Sequence, residues 1–176
     1  MKPQIKLLVA VICPLMIVGV ARANVSLPDV LSDGMVLQQN QKVPIWGHAD
    51  PGETVVVKFA GQAKSATASA DGRWLVKLDP IRASATPATM IITGKSTIEL
   101  KDILVGEVWL VAGQSNMQLL LRETANGEAA IAAANHPLIR LFNVSRAVAF
   151  KHAKPPLATW QACSNEIGRA SCRERV

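Results

Sequence analysis

Six short β-type runs, separated by turn sequences at close intervals, constrain this 176-residue chain more than any other feature. Val, Ile, Thr and aromatic residues are concentrated in the runs, whereas Asp-Pro-Gly, Asp-Gly and Gly-Lys-Ser sequences lie between them. Short strands with frequent turns and no long helix are typical of an antiparallel β-sandwich. We therefore predict strands at residues 43–46, 54–59, 65–68, 74–78, 89–93 and 97–100.

The alternation within these runs predicts which side chains form the core. Trp74, Val76 and Leu78 alternate with residues that include Lys77, which indicates one buried face and one partly wet face. Tryptophans in the strands of a small sandwich usually pack in the core, so we expect Trp46 and Trp74 to do so and not to form a sugar-stacking platform. About eighty residues suffice for a modest core of this kind.

The pattern changes at Ile103. Residues 103–112 are apolar apart from Gly106 and Glu107, which predicts a strand covered on both faces and a packed Trp109. Residues 123–135 are alanine-rich with an acidic start, which favours a helix, and residues 138–144 predict a second buried strand. A strand, a helix and a second strand form the opening of a βαβ unit, so this part predicts the start of a parallel sheet.

The apolar run leads directly into Gly113, Gln114, Ser115 and Asn116. This order would present a hydroxyl at the carboxyl edge of a buried sheet, where open α/β sheets bind their ligands. Gly113 permits a tight turn, and the two amides can donate hydrogen bonds to an ester or to a sugar hydroxyl. The pattern is not Gly-x-Ser-x-Gly, since Met117 stands at the second glycine position. Spacing alone leaves open a nucleophilic serine or a plain turn.

Several motifs in this chain resemble the sialate O-acetylesterase family, whose members are serine esterases of the SGNH-hydrolase type that remove acetyl groups from sugars. The resemblance covers roughly residues 27–166 and implies Ser115 as the nucleophile, an acetylated carbohydrate as substrate, and neither a cofactor nor a metal. We expect Gln114 and Asn116 to contact the substrate because they flank that serine. The motifs lie at residues 31–39, 43–47, 49–53, 71–74, 105–110, 113–117 and 160–164.

The chain departs from this family in one respect that matters for catalysis. The family's base histidine and its aspartate lie in an Asp-x-x-His arrangement near the far end of the hydrolase domain, and no Asp-x-x-His occurs here. His136 and His152 both look like solvated loop residues and are not predicted to replace that base. Residues 103–166 are also too few for a typical α/β domain of about 100–150 residues. We therefore expect an N-terminal fragment that ends within the start of a flavodoxin-like SGNH domain and lacks its base.

Both ends of the chain differ from the rest. Lys2 and Lys6 precede an apolar run and an Ala-x-Ala site, so residues 1–23 predict a secretory signal peptide cleaved after Ala23. Cleavage implies a secreted or periplasmic protein without stable membrane association, whereas an uncleaved run would act as an anchor. Residues 167–176 resemble a translated sequencing adapter and are left out of the fold prediction.

The net charge of the remaining residues gives no support to a nucleic-acid partner. Six of the 19 basic residues and one of the 13 acidic residues lie in the two ends, which leaves 13 and 12 in residues 24–166. A balance of +1 supplies no basic footprint. Cys163 is the one cysteine between the two ends, and its spacing from the histidines does not match a metal site, so we predict no metal.

Two functions from different classes remain open. The first is an exported serine carbohydrate O-acetylesterase acting on sialic acid or a related sugar, of which this chain is a truncated and inactive piece. It would comprise a β-sandwich domain at residues 24–103 and an incomplete hydrolase domain at residues 104–166. The alternative is a non-catalytic carbohydrate-binding or accessory module in which the sandwich does the binding. A relative acting on acetylated plant polysaccharide is a variant of the first.

Overall fold

The computed structural model describes residues 25–113, 120–144 and 158–165. About half of these residues are in β-strands and few are in helices, so the protein is β-rich. One short helix, α1 (Gly127–Ala133), and a 3-10 turn (Leu121–Glu123) accompany the strands in the described residues. The strands are β1 (Val36–Gln38), β2 (Val43–His48), β3 (Thr54–Phe59), β4 (Gln62–Thr67), β5 (Arg73–Leu78), β6 (Ser84–Thr93), β7 (Thr97–Gly106), β8 (Asn135–Phe142) and β9 (Trp160–Ser164).

Strands β1 to β7 form two sheets. The larger one has five strands in the order β1-β7-β6-β3-β4, and the smaller one pairs β2 with β5. Every pairing in the two sheets is antiparallel except that of β1 with β7, which is parallel. The six strands predicted from the sequence are confirmed, with β6 and β7 longer than expected. Strand β1 was not predicted, because three residues are too few to show a period of two.

The two sheets share one hydrophobic core. Ile45 and Leu78 enter it from the smaller sheet, and Val55, Ile92 and Ile103 from the larger one, each with 0% exposure. Full burial of such a side chain stabilises the fold by about 1.5–3 kcal/mol. Strand β5 alternates between exposed and buried residues as predicted. The predicted core position of Trp74 is confirmed as well.

Trp46 is a correction to the predicted core. Its side chain is 39% exposed, because Ile45 faces the core and a strand with a period of two turns the next residue to the outer face. On that outer face Trp46 lies opposite Leu75 in the register of β2 with β5, and Leu75 is also exposed. The smaller sheet therefore presents an aromatic and an aliphatic side chain to solvent.

Strand β7 divides the apolar run of residues 103–112 into two halves with different surroundings. Ile103, Leu104 and Val105 are all buried, as predicted for a strand covered on both faces. The strand ends at Gly106, and the next residues form neither strand nor helix. Trp109 and Leu110 are 83% and 92% exposed, so the predicted packing of Trp109 and the predicted cover beyond Glu107 are wrong in this structure.

In residues 120–144 and 158–165 the predicted opening of a parallel sheet is not found. Helix α1 is shorter than the predicted helix at residues 123–135, and β8 pairs antiparallel with β9. Strand β8 is mostly exposed, so the predicted buried strand at residues 138–144 is wrong. His136, expected in a loop, is an exposed residue of this strand. The start of an α/β hydrolase domain is therefore not confirmed.

Polar contacts attach the paired strands β8 and β9 to β7 and to the segment that precedes β1. The Arg140 guanidinium donates to both carboxylate oxygens of Asp102, at 2.5 and 3.1 Å, and the Trp160 indole N–H donates to the carbonyl of Val30 at 2.8 Å. The ring of Trp160 also packs against that of Phe142, with centroids 5.2 Å apart. Among the described residues the longest helix has seven residues, which is too short to cross a membrane.

Candidate functional site

The three predicted site residues, Gln114, Ser115 and Asn116, lie outside the described residues, as does Met117. The described chain approaches them as far as Gly113 and resumes at Leu120. What the structure gives is therefore the frame from which the serine-bearing segment leaves the sheet. That frame is built by the ends of β1 and β7.

Strands β1 and β7 end side by side. They are parallel, so their carboxyl ends meet at one edge of the sheet, with Gln38 opposite Gly106. The backbone N–H of Gln39 extends this pairing by donating to the carbonyl of Gly106 at 2.8 Å. The next residue, Glu107, is the last before the exposed apolar segment that leads towards Ser115.

The Glu107 carboxylate is held by two glutamine side chains. Gln38 Nε2 donates to Oε2 at 2.9 Å, and Gln39 Nε2 donates to Oε1 at 2.6 Å. The Oε1 atom of Gln38 in turn accepts the backbone N–H of Val108 at 2.8 Å. Hydrogen bonds from the two glutamines thus hold Glu107 through its side chain, and a hydrogen bond to Gln38 holds Val108 through its backbone.

These hydrogen bonds determine the charge state of Glu107. The amide of Gln38, and then that of Gln39, hold the pKa of the Glu107 carboxyl below its usual value, because both donors favour the ionised form. An ionised carboxylate can only accept hydrogen bonds. In the described residues the side-chain partners of the Glu107 carboxylate are the neutral amides of two glutamines. The ion pairs of these residues do not involve Glu107.

Two aspartates, Asp33 and Asp102, have contacts that hold parts of the fold together. The side chain of Asp33 accepts the backbone N–H of Lys101 at 2.7 Å. Asp102 has a positive φ of 57° and binds Arg140, whose donated hydrogen bonds lower the pKa of the Asp102 carboxyl.

The two histidines among the described residues lie on strands other than β1 and β7. His136 is exposed on β8, His48 is exposed on β2, and His152 lies outside the described residues. Within residues 25–113, 120–144 and 158–165, no three His, Cys, Asp or Glu side chains gather into a group that could hold a metal ion.

Sequence reasoning missed Gln38 and Gln39. Both belong to the run at residues 31–39 that carries part of the family resemblance, which is the one available signal. Their contact with Glu107 spans 69 and 68 positions of the chain, so that it arises through the pairing of β1 with β7.

The chain is similar to known sialate O-acetylesterases, while no family model matches it. It is 34% identical to the mouse enzyme over 123 residues, which are 63% of this chain and 23% of that protein. It is 32% identical to the human enzyme over 128 residues, which are 65% of this chain and 24% of that protein. The chain thus spans about a quarter of the length of the relatives it matches.

A solved structure gives the same result. A carbohydrate acetylesterase from Xanthomonas citri aligns with a TM-score of 0.74 and 33% identity, over 81% of this chain and 33% of that chain. The resemblance predicted from the sequence motifs is therefore confirmed by sequence relatives and by a fold neighbour.

Proposed function

We propose that this chain, a homologue of sialate O-acetylesterases, is the N-terminal part of an exported serine esterase that removes O-acetyl groups from sialic acid or a related carbohydrate. The observation that carries the proposal is the 33% identity and TM-score of 0.74 to a carbohydrate acetylesterase, together with the serine motif that follows β7. Export rests on residues 1–23, whose sequence has the pattern of a cleavable signal peptide.

In this proposal Ser115 is the nucleophile. Its Oγ adds to the acetyl carbonyl, the sugar hydroxyl leaves with a proton, and water then hydrolyses the acetyl-serine to acetate. The backbone N–H of Ser115 stabilises the oxyanion, and Gln114 and Asn116 bind the substrate. A serine hydroxyl needs a base, and the sequence has no Asp-x-x-His, so in this proposal the base belongs to polypeptide of the complete gene product that follows residue 166.

The test is hydrolysis of p-nitrophenyl acetate by the complete gene product. We expect Ser115→Ala to lower kcat on the order of a million-fold, because the serine and its base act as a unit. Ser65→Ala, in the exposed strand position of β4, is the matched control and should leave kcat unchanged. The 176-residue chain by itself should be nearly inactive. Unchanged turnover of Ser115→Ala would remove this residue from the mechanism.

A second candidate is a non-catalytic carbohydrate-binding module, and the exposure of Trp46 favours it. An indole of this exposure can stack on a sugar ring, and Leu75 opposite widens the apolar surface. Titration of the 176-residue chain with acetylated sugars, followed by Trp fluorescence, tests this function. Binding that Trp46→Ala weakens several-fold and Leu110→Ala leaves unchanged would support the module. If neither the parent chain nor either variant binds the sugars, the binding-module function is discarded.

A further inference from the structure

We propose that Gln38, Gln39 and Glu107 form a positioning clamp that fixes the direction in which the serine-bearing segment leaves β7. The inference rests on the proposed function, since it assigns a role to the frame of Ser115. None of the three residues touches the substrate in this proposal. They act through the backbone between Glu107 and Ser115.

The side chain of Gln38 performs two tasks that need a primary amide. Its Nε2 donates to the Glu107 carboxylate at 2.9 Å, while its Oε1 accepts the N–H of Val108 at 2.8 Å. An amide offers a donor and an acceptor on one rigid plane, whereas lysine offers donors alone and an ionised carboxylate offers acceptors alone. Gln38 therefore sets the position of two successive residues relative to each other.

Gln39 joins the same carboxylate to the sandwich. Its backbone N–H binds the carbonyl of Gly106, and its Nε2 binds Glu107 at 2.6 Å. The backbone N–H of Asn40, next in the chain, donates to the carbonyl of Ile81 at 2.8 Å. On the other side, Leu37 is 5% exposed in the core. The clamp is thus anchored on both sides of the glutamine pair.

The contrast with the following residues identifies hydrogen bonds as the means of positioning. Trp109 and Leu110 are 83% and 92% exposed, so apolar packing by the described residues does not orient them. Ser115 lies eight positions after Glu107 in the sequence. A change of direction at Glu107 moves everything that follows it, and a displacement of about 1 Å at a reacting group can lower a rate about a hundredfold.

The experiment compares clamp variants with a glutamine that has matched geometry elsewhere. Gln62 also uses both ends of its amide, accepting the N–H of Asp79 at 2.8 Å and donating to its carbonyl at 3.2 Å. In the complete gene product, Gln38→Ala and Glu107→Gln should lower kcat about tenfold or more, with KM nearly unchanged. Gln62→Ala should leave both constants near the parent values.

A double variant that exchanges the amide of Gln38 and the carboxylate of Glu107 distinguishes a positioning role from a folding defect. Gln38→Glu alone would place two carboxylates together, whereas Gln38→Glu combined with Glu107→Gln restores one amide and one carboxylate in exchanged places. We expect the double variant to recover most of the lost kcat, and the rate at which a fluorophosphonate labels Ser115 should change in parallel. Unfolding midpoints are measured for every variant.

The outcomes separate this inference from the proposed function. If Ser115→Ala leaves esterase activity intact, the proposed function fails. If Ser115→Ala abolishes activity but the clamp variants behave like Gln62→Ala, the clamp is overturned and the esterase stands. Loss of kcat that follows a lowered unfolding midpoint and is not rescued by the swap also overturns the clamp, because a purely structural role would produce that result.

Discussion

Large apolar side chains are mostly buried in residues 25–106 and mostly exposed in residues 107–113 and 120–144, although Ile131 is buried in the second region. In the first region Ile45, Leu78 and Ile92 are completely buried. In the second, Leu110 is 92% exposed and Leu138 is 58% exposed. The sequence predicted burial in both regions. The difference is that strands of the first region pair with and cover one another, whereas the second lacks such cover among the described residues.

The comparison shows what a hydrophobic pattern does and does not determine. A run such as residues 103–112 indicates a surface that is unfavourable in water. It does not indicate where along the polypeptide the covering surface lies. The core that covers Ile103 and Val105 is built from side chains within the same 82-residue span as β7. The continuation of the run depends, in our proposal, on residues beyond this chain.

The largest expected change in stability is found by replacing one leucine in each region with alanine. Leu78→Ala should lower the free energy of unfolding by about 2–5 kcal/mol, because it leaves a cavity in the shared core. Leu110→Ala should change it by no more than about 0.5 kcal/mol, because that side chain is already in solvent. Urea unfolding of the 176-residue chain measures both. Equal losses would show that Leu110 is buried in solution and would remove the contrast.

The next effect concerns association between molecules. Trp109→Ser combined with Leu110→Ser should reduce self-association of the 176-residue chain, because exposed apolar segments promote it. Size-exclusion chromatography with light scattering provides the measurement. Leu75→Ser on the outer face of β5 is the control, with a side chain half as exposed as that of Leu110. A parent chain that stays monomeric at high concentration would contradict the expectation.

The smallest expected effect is at the junction of the two regions. Arg140 lowers the pKa of Asp102, so the pair stabilises the fold fully above the ordinary aspartate pKa of about 3.9. That stability is lost as the pH falls through the lower pKa of the folded state. Because Asp102 is half-exposed, the pair contributes about 1 kcal/mol at most.

Asp102→Asn tests this contribution through the unfolding midpoint measured from pH 7 to pH 2. The variant should be slightly less stable than the parent at pH 7 and should approach it in acid. Asp79→Asn, which removes the exposed pair with Lys64, serves as the comparison. A difference between Asp102→Asn and the parent that grows in acid would have the wrong sign for this pair.

Much of the first region could be predicted from residues alone. Strand β5 shows why, since Trp74, Val76 and Leu78 recur at every second position, and this period indicates that all three face the same side of the sheet. Trp46 was placed wrongly because residue type was weighed above its position in the alternation. Strand β8 was placed wrongly because a short apolar run does not reveal whether its partner is parallel or antiparallel.

The candidate site also has one part that the sequence predicts and one part that only the structure reveals. Ser115 and its two amide neighbours were proposed from a local motif, and they stay a prediction because they lie outside the described residues. Gln38 and Gln39 could not be connected with Glu107 from the sequence, since that contact requires β1 to lie parallel to β7 at a particular register. No local pattern specifies such a register.

The sequence by itself determined the β-rich character of residues 43–103, the alternation of their core side chains, and the resemblance to carbohydrate acetylesterases. Those properties are local, because they depend on neighbouring residues and their period. The tertiary structure decided that Trp46 faces solvent, that β8 pairs with β9, and that two glutamines hold Glu107. These depend on which distant strands lie side by side, and pairing across about seventy residues is set by the packing of the whole core.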